Sequence, residues 1–176
     1  MKVPVAILSL LALAGVAFPV AAAQLQPLRP VARNLYSGRW YEIARTPNIT
    51  EGDCQGSTYD FAGWSAGQFS AVQTCHQGGP AGPARSIKVS GRVLPQTANT
   101  KMQLAILGGL WTQQYWILDH ALDNAWLIMT TPNNRYVWLM SRQPVLTGAS
   151  RAAALARLSQ FGFDLSHLVF PQQAMR

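Results

Sequence analysis

The sequence predicts an all-β fold, a sandwich or an up-and-down barrel, with one helix near the C-terminus. Three observations carry this. Short strand-like segments recur at roughly even spacing between positions 38 and 142, no helical pattern falls between them, and the texture changes once, after Pro144.

After a proline-containing lead (Pro27, Pro30), segment 38–45 alternates, with Trp40, Glu42 and Ala44 on one face and Tyr41, Ile43 and Arg45 on the other. Segments 57–61 and 68–75 flank Gly63-Trp64-Ser65-Ala66-Gly67, a hairpin signal. A Gly/Pro loop fills 78–83. Segments 86–94 and 101–107 follow, joined across 95–100, and Gly108-Gly109 marks another turn. Segments 113–118, 124–130 and 135–142 bring the set to eight, with turns at 119–123 and 131–134. Beyond Pro144, Ala154, Leu155, Leu158 and Phe161 recur at helical spacing over 150–161. Ser150 is placed to cap the start of this helix and Gly162 its end. Segment 165–170 reads as a short ninth strand.

The chain has 176 residues, 49% hydrophobic and 12% charged. That length suits one domain around one core, and that apolar content excludes a disordered polar chain. Residues 1–23 have the form of a secretory signal peptide: Lys2, an apolar run from Val5 to Phe18, then Ala21-Ala22-Ala23 as the small-residue cleavage pattern. The run is shorter than the roughly 20 residues that a membrane span needs. No cysteine follows the cleavage point, as a lipoprotein signal would require. The expectation is a mature domain over 24–176, periplasmic or secreted. The formal net charge is +7, with Lys and Arg scattered along the chain. The clustered basic stripe of a nucleic-acid binder is missing, while attraction to anionic lipid stays open. Cys54 and Cys75, an even pair in an exported chain, point to a disulfide. His76 adjoins Cys75 but His120 and His167 are distant, so no metal site or cofactor is implied.

The segment Tyr36-Ser37-Gly38-Arg39-Trp40-Tyr41-Glu42-Ile43-Ala44-Arg45 resembles the first-strand signature of the lipocalins: a Gly, a spacer, a Trp, then Tyr-Glu-Ile-Ala-Arg. Trp138-Leu139-Met140-Ser141-Arg142 resembles that family's last barrel strand with its terminal Arg. Phe161-Gly162-Phe163-Asp164 is similar to the bacterial, apolipoprotein D-like branch. Asp119-His120-Ala121-Leu122-Asp123 stands where the family carries its middle motif and matches it loosely. The resemblance covers about residues 28–173. It selects an eight-stranded antiparallel up-and-down barrel, the lipocalin calyx, with one C-terminal helix and the short ninth strand.

The resemblance implies that Trp40 lies across the closed end with the Arg142 guanidinium stacked on its ring, a contact worth roughly 0.5–2 kcal/mol. Gly38 then lets the backbone approach closely. With Arg142 pointing inward, strand alternation turns Met140, Trp138 and Tyr136 inward too. Alignment with the family adds Tyr59 and Phe61, Phe69 and Ala71, and Val89 and Val93 to the calyx wall. It further adds Met102, Leu104 and Ile106, then Tyr115 and Ile117, then Trp126 and Ile128. Lys88, Arg92 and Lys101 fall outside, leaving Arg135 and Arg142 as the cations near the interior. The small Ala71 and Gly91 leave room for a ligand. Glu42, near the closed end, needs a partner, and Arg142 is the expected one; Asp119 is the other interior acid. Relatives tie the equivalent of Cys54 to a cysteine near the C-terminus. None exists there in this chain, which leaves Cys75 as partner, near the open end. Pairing Phe61 with Phe69 puts the cysteines one residue out of register, which a bulge would absorb.

The function implied is binding and carrying or storing a small hydrophobic ligand, a fatty acid or lysophospholipid, with Trp138, Trp126 and Tyr115 as contacts. Two other readings compete. One is an enzyme using a calyx thiol at Cys54, which a disulfide would disable. The other is an envelope-associated protein that meets anionic membrane through Arg85, Lys88, Arg92 and Lys101. A monomer and a homodimer fit equally.

Overall fold

Eight antiparallel strands pair in chain order and close on themselves, β1 with β8, in the computed structural model, which describes residues 24–173. The leader expected over 1–23 lies outside the described residues. The strands are β1 (Gly38–Arg45), β2 (Cys54–Ser65), β3 (Gln68–Gln77), β4 (Ala84–Val93), β5 (Lys101–Ile106), β6 (Trp111–His120), β7 (Trp126–Thr130) and β8 (Val137–Ser141). Short connections make this meander the natural topology, since only parallel pairs need long crossovers. The tightest is Ala66-Gly67, with φ of +47° and +82°, a geometry that matches strand twist and favours Gly at its second position. A 3₁₀ turn over Arg33–Tyr36 precedes β1 and closes one end of the barrel.

Helix α1 (Gly148–Gln160) packs outside the barrel on β7. It starts before the expected Ser150: Thr147 occupies the N-cap position and makes no side-chain cap. Gly162 ends it as expected. It takes φ +85°, its N–H reaches the Ser159 carbonyl, and the Phe163 N–H reaches Leu158, so the last helical carbonyls are satisfied. The ninth strand is not formed. Asp164 accepts a hydrogen bond from the Ser166 N–H and folds Leu165–His167 into a 3₁₀ turn, which leaves a single bridge between Arg45 and Val169.

Two apolar cores result. One fills the barrel, built from Leu35, Tyr36, Trp40, Phe69, Met102, Ile117, Leu127, Met129, Trp138 and Met140. The other lies between the barrel wall and α1, built from Ala44, Leu118, Trp126, Ile128, Val137, Leu139, Ala154 and Leu158. Trp126 and Ile128 therefore face the helix and not the interior, a correction to the sequence reading. Met129 pairs with Ile117 and with the inward Trp138, so Leu127 and Met129 point inward instead, and a bulge follows between Ile117 and Asp119.

The same bulge corrects Asp119. Its carboxylate is buried outside the barrel and forms ion pairs with Arg29 (Nε to Oδ1, 2.7 Å) and Arg157 (Nε to Oδ2, 2.8 Å), tying the N-terminal lead to the helix. Lys101 lies over the Trp116 ring, 3.6 Å from its centroid, and Arg92 donates to Gln103, so two of the four wall cations are already engaged. Arg85 is not an outer-wall residue. It opposes Cys75 and shares its face with Ile87 and Val89, at the rim of the mouth.

Candidate functional site

The closed end is built from β1 and the chain on either side of it. The Trp40 indole N–H donates to the Leu35 carbonyl at 2.9 Å. The Arg142 guanidinium sits 3.8 Å over the Trp40 ring. It donates to the carbonyls of Ser37 at 2.7 Å, Arg39 at 3.0 Å and Asn34 at 3.1 Å. One side chain thus donates to three carbonyls around the turn into β1. Gly38 serves by conformation more than by space: its φ is +65°, whereas an added Cβ would meet Arg142 at an ordinary 3.6 Å.

Above this floor the lower interior is packed with rings. Tyr36 stands 5.2 Å from Trp64 and 5.1 Å from Phe69, and Phe61 stands 5.5 Å from Phe69. Burial raises the Tyr36 pKa, and its hydroxyl donates to the Asn99 carbonyl. Phe61 opposes Ala71, not Phe69, so the inward pairs run two positions off the expected register. Gly91 does not leave a void. An added Cβ would lie 2.2 Å from the Phe69 ring, so the glycine makes room for that ring.

The upper interior holds a polar cluster that sequence reasoning missed. A bulge between Glu42 and Ala44 puts both Glu42 and Arg45 inside, fully buried, with Arg45 Nη1 donating to Glu42 Oε1 at 2.6 Å. Arg45, not Arg142, is the partner of Glu42. The loop 46–53 folds Glu51 inward to meet them. Its Oε1 accepts from the Tyr59 hydroxyl at 2.9 Å and from Gln73 Nε2 at 2.5 Å. Its Oε2 accepts from Asn48 Nδ2 at 2.6 Å and from the Trp138 indole at 3.1 Å. Arg45 also donates to the Glu51 and Cys54 carbonyls. Burial, then the charge of Glu51, pushes the Glu42 pKa up to about 8 against the pull of Arg45. Burial beside Glu51 thus favours the protonated form of Glu42. Burial and the Glu51 charge likewise raise the Tyr59 pKa and push Tyr115 up to about 12, keeping both hydroxyls protonated.

Tyr59, Phe61, Leu104, Tyr115 and Tyr136 are half-buried around the inner core, while Phe69, Met102, Ile117, Trp138 and Met140 are buried within it. Val89 opposes Ala71, and Ile106 opposes Trp111 at the rim. Tyr115 and Tyr136 flank Trp138 with ring centroids 5.5 Å and 6.2 Å away. A cavity of about 220 Å³ opens here at the mouth, lined by Gln113, Thr131, Pro132, Asn133 and Tyr136. A second depression of about 560 Å³ lies on the outer wall, among Arg39, Tyr41, Thr58, Thr74 and His76.

Cys54 and Cys75 are bridged at the open end, and no free cysteine occurs among the described residues. Cys54 itself opposes Gln77, and a shift between Gln55 and Thr58, where Gly56 takes φ +57°, separates the bridge from the register of the inward pairs.

The family model described as "Lipocalin-like domain" matches residues 31–173. The outer membrane lipoprotein Blc of Vibrio cholerae is 22% identical over 151 residues, covering 85% of this chain and 86% of its own. The solved structure of insecticyanin from the tobacco hornworm Manduca sexta superposes with a TM-score of 0.71 at 17% identity, over 89% of this chain and 88% of that one. Lobster apocrustacyanin A1 superposes with a TM-score of 0.65 at 15% identity, over 81% of this chain and 80% of its own.

Proposed function

The chain belongs to the lipocalin family, and from this premise we propose that it is an exported carrier or store for a small hydrophobic ligand, a fatty acid or a lysophospholipid, held in the barrel. Lipocalins bind such small hydrophobic molecules. One observation carries the reading for this chain: the barrel is sealed at one end by Trp40 and Arg142 over an apolar inner core, and at its open mouth Leu104, Tyr115 and Tyr136 stay partly uncovered. Burial of an acyl chain against this wall would drive binding at roughly 25 cal/mol per Å². The mouth cavity of about 220 Å³ is smaller than the roughly 300–1,000 Å³ typical of ligand pockets.

The disulfide supports export, because such bridges persist in oxidising compartments. Periplasmic residence or secretion is the reading that goes with it. No helix among the described residues is long and apolar enough to cross a membrane. The bridge also favours binding over calyx-thiol catalysis, since neither sulfur is available as a thiolate.

Native mass spectrometry of residues 24–176, followed by organic extraction, tests the proposal; a co-purifying acyl lipid is the expected result. Trp138→Ala should weaken acyl-ligand binding several-fold while unfolding stays cooperative. Unchanged affinity in that variant would remove Trp138 from the wall of the binding site.

A further inference from the structure

Exposed apolar side chains are unevenly distributed. Nine large hydrophobic residues are exposed among the described residues, and five of them, Ile49, Ile87, Leu107, Leu110 and Trp111, stand at the open end. Ile49 is 99% exposed and Leu110 88%. Leu107 and Leu110 flank Gly108-Gly109 in the β5–β6 turn, and Leu107 itself holds φ +51°, a conformation that disfavours a bulky side chain. The turn thus holds two leucines out in solvent where it could have folded them over the mouth.

Exposed charge at this end is net positive. Arg85 heads β4 on the face it shares with Ile87, and Arg135 stands beside Tyr136 in the β7–β8 turn, both exposed. Asp53 is the exposed acid of these loops, because Glu51 is buried inside the barrel. Asp60 is paired with Arg39 and Asp119 with Arg29 and Arg157, away from the mouth.

We propose that the open end docks on a bilayer containing anionic phospholipid. Ile49, Leu107 and Leu110 enter the interfacial layer, and Arg85 and Arg135 meet the headgroups. Apolar tips with flanking cations are the combination that interfacial binding uses. A second copy fits less well: a two-fold contact through the same rim sets like-charged arginines together, and separate loop tips around an opening offer no continuous face. Docking goes beyond carriage, because it stands whether or not the barrel binds an acyl ligand, and it places the mouth where such a ligand would be exchanged.

Flotation of the mature chain with phosphatidylglycerol/phosphatidylcholine vesicles, and with phosphatidylcholine alone, tests this. Binding is expected on the anionic vesicles at low salt and should decline as salt screens the charges. The double variant L107S/L110S should lose about ten-fold in partitioning. Arg85→Gln with Arg135→Gln should lose roughly five-fold per charge on anionic vesicles only. Leu122→Ser, 87% exposed at the opposite end, should change nothing. No vesicle binding at low salt, equal loss in Leu122→Ser, or no loss in L107S/L110S would overturn the proposal. So would a dimer in solution that L107S/L110S splits while vesicle binding is absent. Titration of a soluble acyl ligand without vesicles reports separately on carriage.

Discussion

Burial raises the pKa of Glu42, and this makes stability depend on pH at that site. The unfolded chain releases its proton near the ordinary glutamate value of 4.5, and the folded chain near 8. Between those values the folded state holds more proton, so stability from this site is full below the lower value, declines as pH climbs, and levels off above the upper one. Glu42→Gln keeps a donor towards Glu51 and an acceptor for Arg45 without a group that ionises. Thermal melts should show the variant gaining on wild type between pH 5 and pH 9; parallel curves would show that Glu42 ionises normally. That Glu42 lies inside and needs a partner was legible in the sequence, but its partners were not. Alternation put Arg45 on the outer face, and only the bulge in β1 turns it and Glu42 to the same side. Glu51 carries a local sign, since Asn48 Oδ1 accepts its N–H at 2.9 Å in an Asx-type turn, but nothing in that turn tells which way the carboxylate points. The Trp40–Arg142 pair was legible because the strand signatures that carry it lie at matching strand ends.

At the scale of elements, Asp119 holds three pieces together: the lead through Arg29, β6 through its own backbone, and α1 through Arg157. Asp119→Ala would leave two arginines without their acceptor. Breaking a fully buried pair costs about 3–5 kcal/mol, and both arginines are about one-third exposed, so the expected loss in urea unfolding is about 2 kcal/mol. A loss within error would mean that the helix is held by apolar packing alone. Most strand positions were readable because polar and apolar residues alternate and turn residues punctuate them, whereas the closed strand order followed from the resemblance of the strand signatures. Faces were readable only where one side meets water. In β4, Lys88 and Arg92 mark the outside, and Val89 falls inward as expected. In β7 all five residues are buried, since α1 covers the outer side, so Trp126-Leu127-Ile128-Met129 offers no contrast to read. The ninth strand failed for a different reason: Asp164 competes for local backbone donors, and a capped turn displaces the extended pairing.

At the scale of the whole molecule, the disulfide joins β2 to β3 at the end where the barrel is open. Its sequence separation is 21, and closing a loop of that order is worth about 3 kcal/mol. Reduction should lower stability by about that amount and raise hydrogen exchange first in the strand ends around Cys54 and Cys75; uniform acceleration throughout the barrel would argue against a local role. The bridge also anchors one end of the loop whose Glu51 side chain accepts four hydrogen bonds inside the barrel. This arrangement works as a latch. Tyr59, Gln73 and the Trp138 indole donate from the barrel wall and Asn48 from the loop itself, so lifting the loop away would break three hydrogen bonds at once and bare the polar interior to water.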